Sequence, residues 1–304
     1  MLSAPDLLRD VTGSVQLSLA AGKGFAPFGS DDPMSRPPLL YPVNHHLSQI
    51  LERAVGVVTV RTAGVTAEAG LFDGDEPERP AQWPNVGRFG DSWAARLTVR
   101  PREGLEWQTS RAHVHSPEHR QGAGIDAEKW SVSLRWEGGP GYGLAEWART
   151  SEAGSSYVFH SLLAEGGWRH RRHRPYLRFE RTERPEEQRI SDDQFRSTRP
   201  HNDNTILGVT RWTIGTFGYG YAASAGRLTL QPTVELAVAG VAQVGGGIFD
   251  PAVFYGRRTL YSLSLGVRID WGMMGHRMGH YGSAMPASGA MAMPGMDSTS
   301  SEAR

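Results

Sequence analysis

The sequence predicts an all-β chain, an antiparallel up-and-down transmembrane β-barrel. Three observations point there. The run Thr259 to Trp271 (TLYSLSLGVRIDW) puts Tyr261, Leu263, Leu265, Val267, Ile269 and Trp271 on one parity and Ser262, Ser264, Gly266, Arg268 and Asp270 on the other. Period-two alternation this strict is a strand with one apolar and one polar face, and the aromatics near both ends suit the two interfaces of a bilayer. Secondly, the connections sort by length in alternation: 24–54, 73–91, 116–129, 182–203 and 240–256 are long, while 63–64, 101–104 and 138–141 are short. Membrane barrels keep long loops on the extracellular side and short turns on the periplasmic side, whereas a soluble sandwich has no reason to do so. Thirdly, no apolar run approaches the ~20 residues of a membrane helix, and a barrel needs none.

The strands follow in order. The first covers about Gly13 to Lys23. A proline-rich segment, 24–54, then carries NHHLSQILERA, which reads as a short helix opening at Asn44. Strands at 55–62 and 65–72 flank an Ala63-Gly64 turn, 92–100 and 105–115 flank Pro101–Gly104, and 130–137 and 142–150 flank Gly138–Gly141. Further strands are read at 156–164, 174–181, 204–214, 227–239 and 257–271, about twelve in all. Two connections break the alternation, 151–155 by being short and 165–173 by being long. The 142–150 strand fits poorly because Leu144 and Glu146 share a parity, and Pro232 is unexpected inside a strong strand.

Bulk composition narrows the class. Lys+Arg and Asp+Glu are both 32 over 304 residues, which argues against a nucleic-acid partner. The absence of cysteine excludes a disulfide scaffold, a thiolate metal site and a cysteine nucleophile. No nucleophile-elbow, phosphate-loop, zinc-protease or dinucleotide motif is present, so no enzyme is expected. The opening MLSAPDLLRDVTG has no basic region followed by an apolar one. Residues 1–12 therefore read as an N-terminal remnant, 13–271 as the barrel and 272–304 as a disordered Met/His-rich tail, with a signal peptide expected upstream of this chain.

Several stretches resemble a known family: GKGFAPFG (Gly22–Gly29), LERAVGV (Leu51–Val57), GLFDGDEPE (Gly70–Glu78), AARLTVRP (Ala94–Pro101) and PYLRFE (Pro175–Glu180). In this order they resemble the phosphate-selective porin O/P-like outer-membrane proteins. The resemblance implies a sixteen-stranded, water-filled channel in the outer membrane of a Gram-negative bacterium, often a homotrimer. The twelve strands would then be its C-terminal three quarters. The bilayer, lipopolysaccharide and a small solute are the implied partners.

The polar parity supplies the pore-lining candidates: Arg96, Arg100, Arg135, Arg178 and Arg268, accompanied by Glu180, Glu235 and Asp270. Arginine walls favour anions, but interleaved acids cancel much of that field, and the pairs also read as structural bridges across the wall. His45, His46, Glu52 and Arg53 are candidates for a constriction if the 24–54 loop folds inward; otherwise that loop is solvated. The basic run WRHRRHR (Trp168–Arg174) reads as an anion-attracting mouth, a lipopolysaccharide contact or a solvated turn. His113 and His115 share a strand face near His119, without an evident further ligand. The tail holds seven of the nine methionines, and Met273, Met274, His276, Met278, His280, Met285, Met291, Met293 and Met296 are soft ligands suited to a copper ion.

The expected function is therefore passive diffusion of small hydrophilic solutes, anions such as phosphate among them. Outer-membrane copper handling through the tail and a soluble β-sandwich binding module are the alternatives.

Overall fold

The computed structural model describes residues 2–9, 15–30, 36–50, 52–75, 77, 82–117, 124–187, 206–226, 228–245, 247–271 and 280–281. Fourteen strands form one sheet: β1 (Leu2–Arg9), β2 (Gln16–Gly24), β3 (Arg53–Thr62), β4 (Val65–Phe72), β5 (Ser92–Arg102), β6 (Leu105–Val114) and β7 (Ala127–Gly138) come first. They are followed by β8 (Gly141–Glu152), β9 (Tyr157–Trp168), β10 (His173–Glu187), β11 (Ile206–Tyr221), β12 (Ala223–Ala225), β13 (Leu228–Gln243) and β14 (Thr259–Trp271). Each spanning strand pairs antiparallel with its neighbour in sequence. The three-residue β12 only prolongs β11 along β13. Two four-residue helices, α1 (His45–Ser48) and α2 (Pro251–Phe254), sit in connections.

The polarity of the wall is inside-out. On β4 to β7 the buried parity is Thr66, Glu68, Arg96, Thr98, Gln108, Ser110, Ser131 and Ser133, while Trp93, Leu97, Trp107, Trp130, Leu134 and Trp136 are exposed. A water-soluble sheet buries its apolar face, so these strands do not form the core of a sandwich, and that alternative is overturned. Apolar outward and polar inward is the signature of a barrel wall in lipid.

The sheet curls around a segment of its own chain. Residues 25–30 and 36–50 hydrogen-bond to inward side chains of β5, β6, β8, β9, β10, β13 and β14. One stretch touching the polar faces of strands so far apart in the sheet requires those faces to converge. Among the described residues no backbone pairing joins β14 to β1. Both run from the long-loop end to the short-turn end, and the outward side chains of β14 are 62–78 % exposed, as expected of an edge strand.

Connection lengths alternate as the sequence implies. One end carries 25–52, 73–91, 115–126, 188–205 and 244–258; the other carries 63–64, 103–104, 139–140 and 169–172. The 165–173 irregularity disappears because β9 runs on to Trp168, leaving a four-residue turn closed by a His170–His173 bridge. The short 153–156 connection is real, a single 3-10 turn with Gly154 at φ 62°.

The extent of one helix is corrected, and three further local readings are accounted for. The helix expected over Asn44–Ala54 is only His45–Ser48; Asn44 spends its side chain on Glu146 instead of on the helix N-terminus. Leu144 and Glu146 are both buried inward, because α1 packs against β7, β8 and β9 and makes that side dry. Pro232 is tolerated because pairing with β11 stops at Thr233 and resumes with β12 at Leu230, so its missing N–H falls in the gap. Residues 2–9, expected within a remnant, form β1 against β2.

Candidate functional site: a charged lumen crossed by an inserted segment

The strands set a belt of carboxylates around the lumen, and the inserted segment hangs from it. Glu146 on β8 accepts hydrogen bonds from Ser30 Oγ and from Asn44 Nδ2, the latter at 3.1 Å. Glu165 on β9 takes Arg36 Nη1 at 3.4 Å and Tyr142 OH at 2.5 Å. Glu180 on β10 accepts from Val43 N at 2.7 Å, and Glu235 on β13 from Leu39 N at 2.9 Å and Tyr176 OH at 2.8 Å. Arginines hold the opposite polarity: Arg96 donates to Gly29 O at 3.1 Å, Arg178 to Leu40 O at 2.9 Å and Arg268 to Arg36 O at 3.3 Å. The segment's backbone groups thus find wall partners in place of water, which a buried loop requires.

The wall charges also neutralise one another. Arg96 grips Glu68 through two bonds, Nε–Oε2 at 2.6 Å and Nη2–Oε1 at 2.9 Å. Arg178 reaches Glu165 at 3.1 Å and Glu180 at 3.5 Å. The side chains of Arg36, Glu68, Arg96, Glu165 and Arg178 are 0–2 % exposed, so this section of the lumen is closed to water. Breaking such a buried pair costs far more than the pair itself contributes.

Eight expected wall residues therefore divide by place. Arg96, Arg178, Glu180 and Glu235 lie in the closed section as anchors of the segment. Arg100 and Arg135 lie toward the short-turn end, paired with Glu106 at 2.9 Å and with Glu137. Arg268 and Asp270, 3.2 Å apart, share the half-exposed inward face of β14 with Ser264.

Of the expected constriction residues, His45 opens α1, with Nδ1 2.8 Å from Pro42 O. His46 shares that helix, and nothing further is described of its side chain. Glu52 pairs with Lys23 at 3.1 Å at the base of the segment, and Arg53 is buried at the start of β3. The narrowing is built less from these four than from Ser30, Arg36, Glu165 and Tyr176, which sequence reasoning did not single out, and from Asn44 and Glu146, which it read only as a helix cap and a parity misfit. Glu146 and Glu165 were signalled only as inward parity on β8 and β9, where the alternation is least regular.

Gly29 is the pivot of the inserted segment. Its φ is 71°, and a Cβ there would lie 1.7 Å from Ser48 O. A non-glycine residue in that region costs about 1–2 kcal/mol before any clash. Gly29→Ala is expected to lower the unfolding midpoint and to loosen the segment, read as faster proteolysis between residues 25 and 50 in an otherwise intact barrel.

Residue Tyr281, beyond β14, lies in the lumen. Tyr281 is buried; its N–H donates to Glu68 Oε1 at 3.0 Å and its hydroxyl to Phe25 O. It packs in an apolar cluster with Ala26, Phe28, Ile50, Val55 and Phe72, and that burial raises its phenol above the usual range. Met273, Met274, His276, Met278, Met285, Met291, Met293 and Met296 lie outside the described residues. His280 lies beside Tyr281 within them. On the outer face, His113 and His115 are engaged by Glu128 at 2.8 Å and Asp126 at 2.7 Å, and among the described residues no group of three or more His, Asp or Glu is arranged to hold a metal.

No protein-family model matches the sequence, and no curated protein matches it. Among solved structures the chain is similar to OmpT (in-vitro folded), an outer membrane protein of Vibrio cholerae, at 10 % identity and a TM-score of 0.48, covering 84 % of this chain and 76 % of that one. It is also similar to an anion-selective porin from Comamonas acidovorans, at 10 % identity and a TM-score of 0.46, covering 82 % and 73 %. Likeness at that level carries no argument about what this chain does.

Proposed function

We propose that this protein is a porin-like channel of the outer membrane that passes small hydrophilic solutes down their gradients. The supporting observation is the inside-out wall with a polar lumen crossed by one inserted segment. The segment bonds to the inward faces of β5, β6, β8 to β10, β13 and β14, and Ser264, Arg268 and Asp270 on the inward face of β14 stay partly exposed. The lumen carries acids and arginines in alternation, so its field is local. Such a wall orients dipolar and zwitterionic solutes, and ions of one sign are discriminated only weakly. Phosphate selectivity would need an arginine cluster without acids, and the arginine candidates of the wall are all paired with carboxylates.

Conductance across a planar bilayer tests the channel. The purified, lipid-reconstituted protein is expected to give stepwise currents with a cation-to-anion permeability ratio within about threefold of unity, since paired wall charges leave little net field. Silent bilayers, with protein shown to be inserted, would overturn the reading.

A further inference from the structure

The basic turn and the outer wall above it form one surface that the channel does not use. On the lipid-facing side of β9, β10, β11 and β13, small residues leave a depression. Gly166 and Gly215 lie in it, flanked by Leu177, Phe179, Phe217 and Leu236, and the groove encloses about 830 Å³. Leu177 is 62 % and Phe217 52 % exposed, so its apolar sides stand open. A side chain added at Gly215 would meet nothing within 4 Å, which confirms that the space is empty of protein.

The groove runs down to the short-turn end, where Trp168, Tyr219 and Tyr221 mark the aromatic level that barrels place at a bilayer interface. His173 packs against both tyrosine rings, at 5.9 and 5.6 Å between centroids. Just beyond lies the turn 169–172, with Arg169, Arg171 and Arg172 exposed. Arg172 reaches the hydroxyl of the outward Tyr221 at 3.4 Å, which puts its guanidinium on the lipid side. Among the described residues none of these three guanidiniums pairs with a carboxylate, unlike the arginines of the lumen. Arg174, behind them, is spent on the turn itself, donating to Arg171 O at 2.7 Å and His173 O at 2.9 Å.

We infer that this surface is a binding site for an anionic phospholipid, with acyl chains in the Gly166–Gly215 groove and the phosphate on Arg169, Arg171 and Arg172. Three unneutralised guanidiniums at headgroup depth fit a phosphate oxyanion. An apolar groove continuous with them, on the same strands, fits the chains of the same molecule. A bare anion would use the turn and leave the groove empty; a zwitterionic lipid would bring a cation to the arginines. The turn belongs to the short-turn end, so the lipid is one of the leaflet facing the periplasm, and the lipopolysaccharide contact considered for this run does not fit its position. The site rests on the barrel standing in a bilayer and is independent of whether the lumen conducts.

Native mass spectrometry of the full chain released from nanodiscs of equal phosphatidylglycerol and phosphatidylcholine tests it. The wild type is expected to retain phosphatidylglycerol at least several-fold over phosphatidylcholine. Arg169→Gln/Arg171→Gln/Arg172→Gln should abolish that preference, and Gly215→Leu should reduce retention of both lipids. Heat-modifiable migration of each variant identifies folded barrels. Excess inorganic phosphate should leave the bound lipid in place; complete displacement would contradict the groove. Equal retention of the two lipids by the wild type, or an unchanged preference in the triple variant, would overturn the inference while leaving the channel reading intact. Failure of the wild type to enter nanodiscs would overturn both.

Discussion

Replacing Glu146 and Glu165 together by alanine will raise single-channel conductance several-fold. These two carboxylates carry the side-chain bonds from Ser30, Arg36 and Asn44, the points where the inserted segment is fixed to β8 and β9. Removing Glu146 leaves Ser30 and Asn44 without their buried acceptor, at about 1–3 kcal/mol. Removing Glu165 strips the acid that Arg36 and Arg178 share, and breaking a buried ion pair costs about 3–5 kcal/mol. The wall itself is held by backbone ladders that neither substitution touches. The cheapest response is therefore for the segment to leave β8 and β9 and take its arginine to water. Recordings of the double variant should show larger and noisier open levels. Unchanged conductance with a destabilised barrel would mean the segment does not limit the passage.

Leu97→Arg is the second large effect. Leu97 stands mid-strand on the outer parity of β5, 37 % exposed, beside the inward pair Arg96 and Thr98. In water, an arginine at a partly exposed strand position is nearly neutral, within about 0.5 kcal/mol. Facing hydrocarbon at mid-depth it costs about 2–4 kcal/mol. Denaturant titration of folding into phospholipid vesicles should show that larger penalty, while Ser131→Ala on the buried inner parity should cost less. A negligible penalty for Leu97→Arg would place that face in water.

The wall was legible from sequence because it obeys one rule. Where the lumen is polar, as on β5, β7, β13 and β14, inward residues are mostly charged, hydroxylic or small and the period of two is unmistakable. On β8 and β9 the same rule fails, since Leu144, Phe159 and Leu163 are buried inward alongside Glu146 and Glu165. Those positions answer to α1 and the inserted segment, a contact spanning about a hundred residues of chain that no local pattern announces. Loop length foretold sidedness for the same reason that it misjudged 165–173. The turn is tight, but β9 and β10 extend into residues whose charge resembles a loop. The basic run was visible as composition; its place at the foot of an apolar groove required the fold. Asn44 shows the limit of capping signals, because a buried glutamate competes with the helix terminus for its side chain.

The central claim is that the apolar parity of these strands faces lipid and the polar parity faces an aqueous lumen. The chain has no cysteine, so single cysteines can be introduced as reporters without background. In lipid vesicles, a bimane label at Leu134, Leu236 or Leu265 is expected to be quenched by bromine-labelled acyl chains and spared by iodide. A label at Ser264 is expected to show the reverse. Iodide quenching of both sets, or a protein that stays folded and monomeric in buffer with its leucines shielded from both quenchers, would contradict the account.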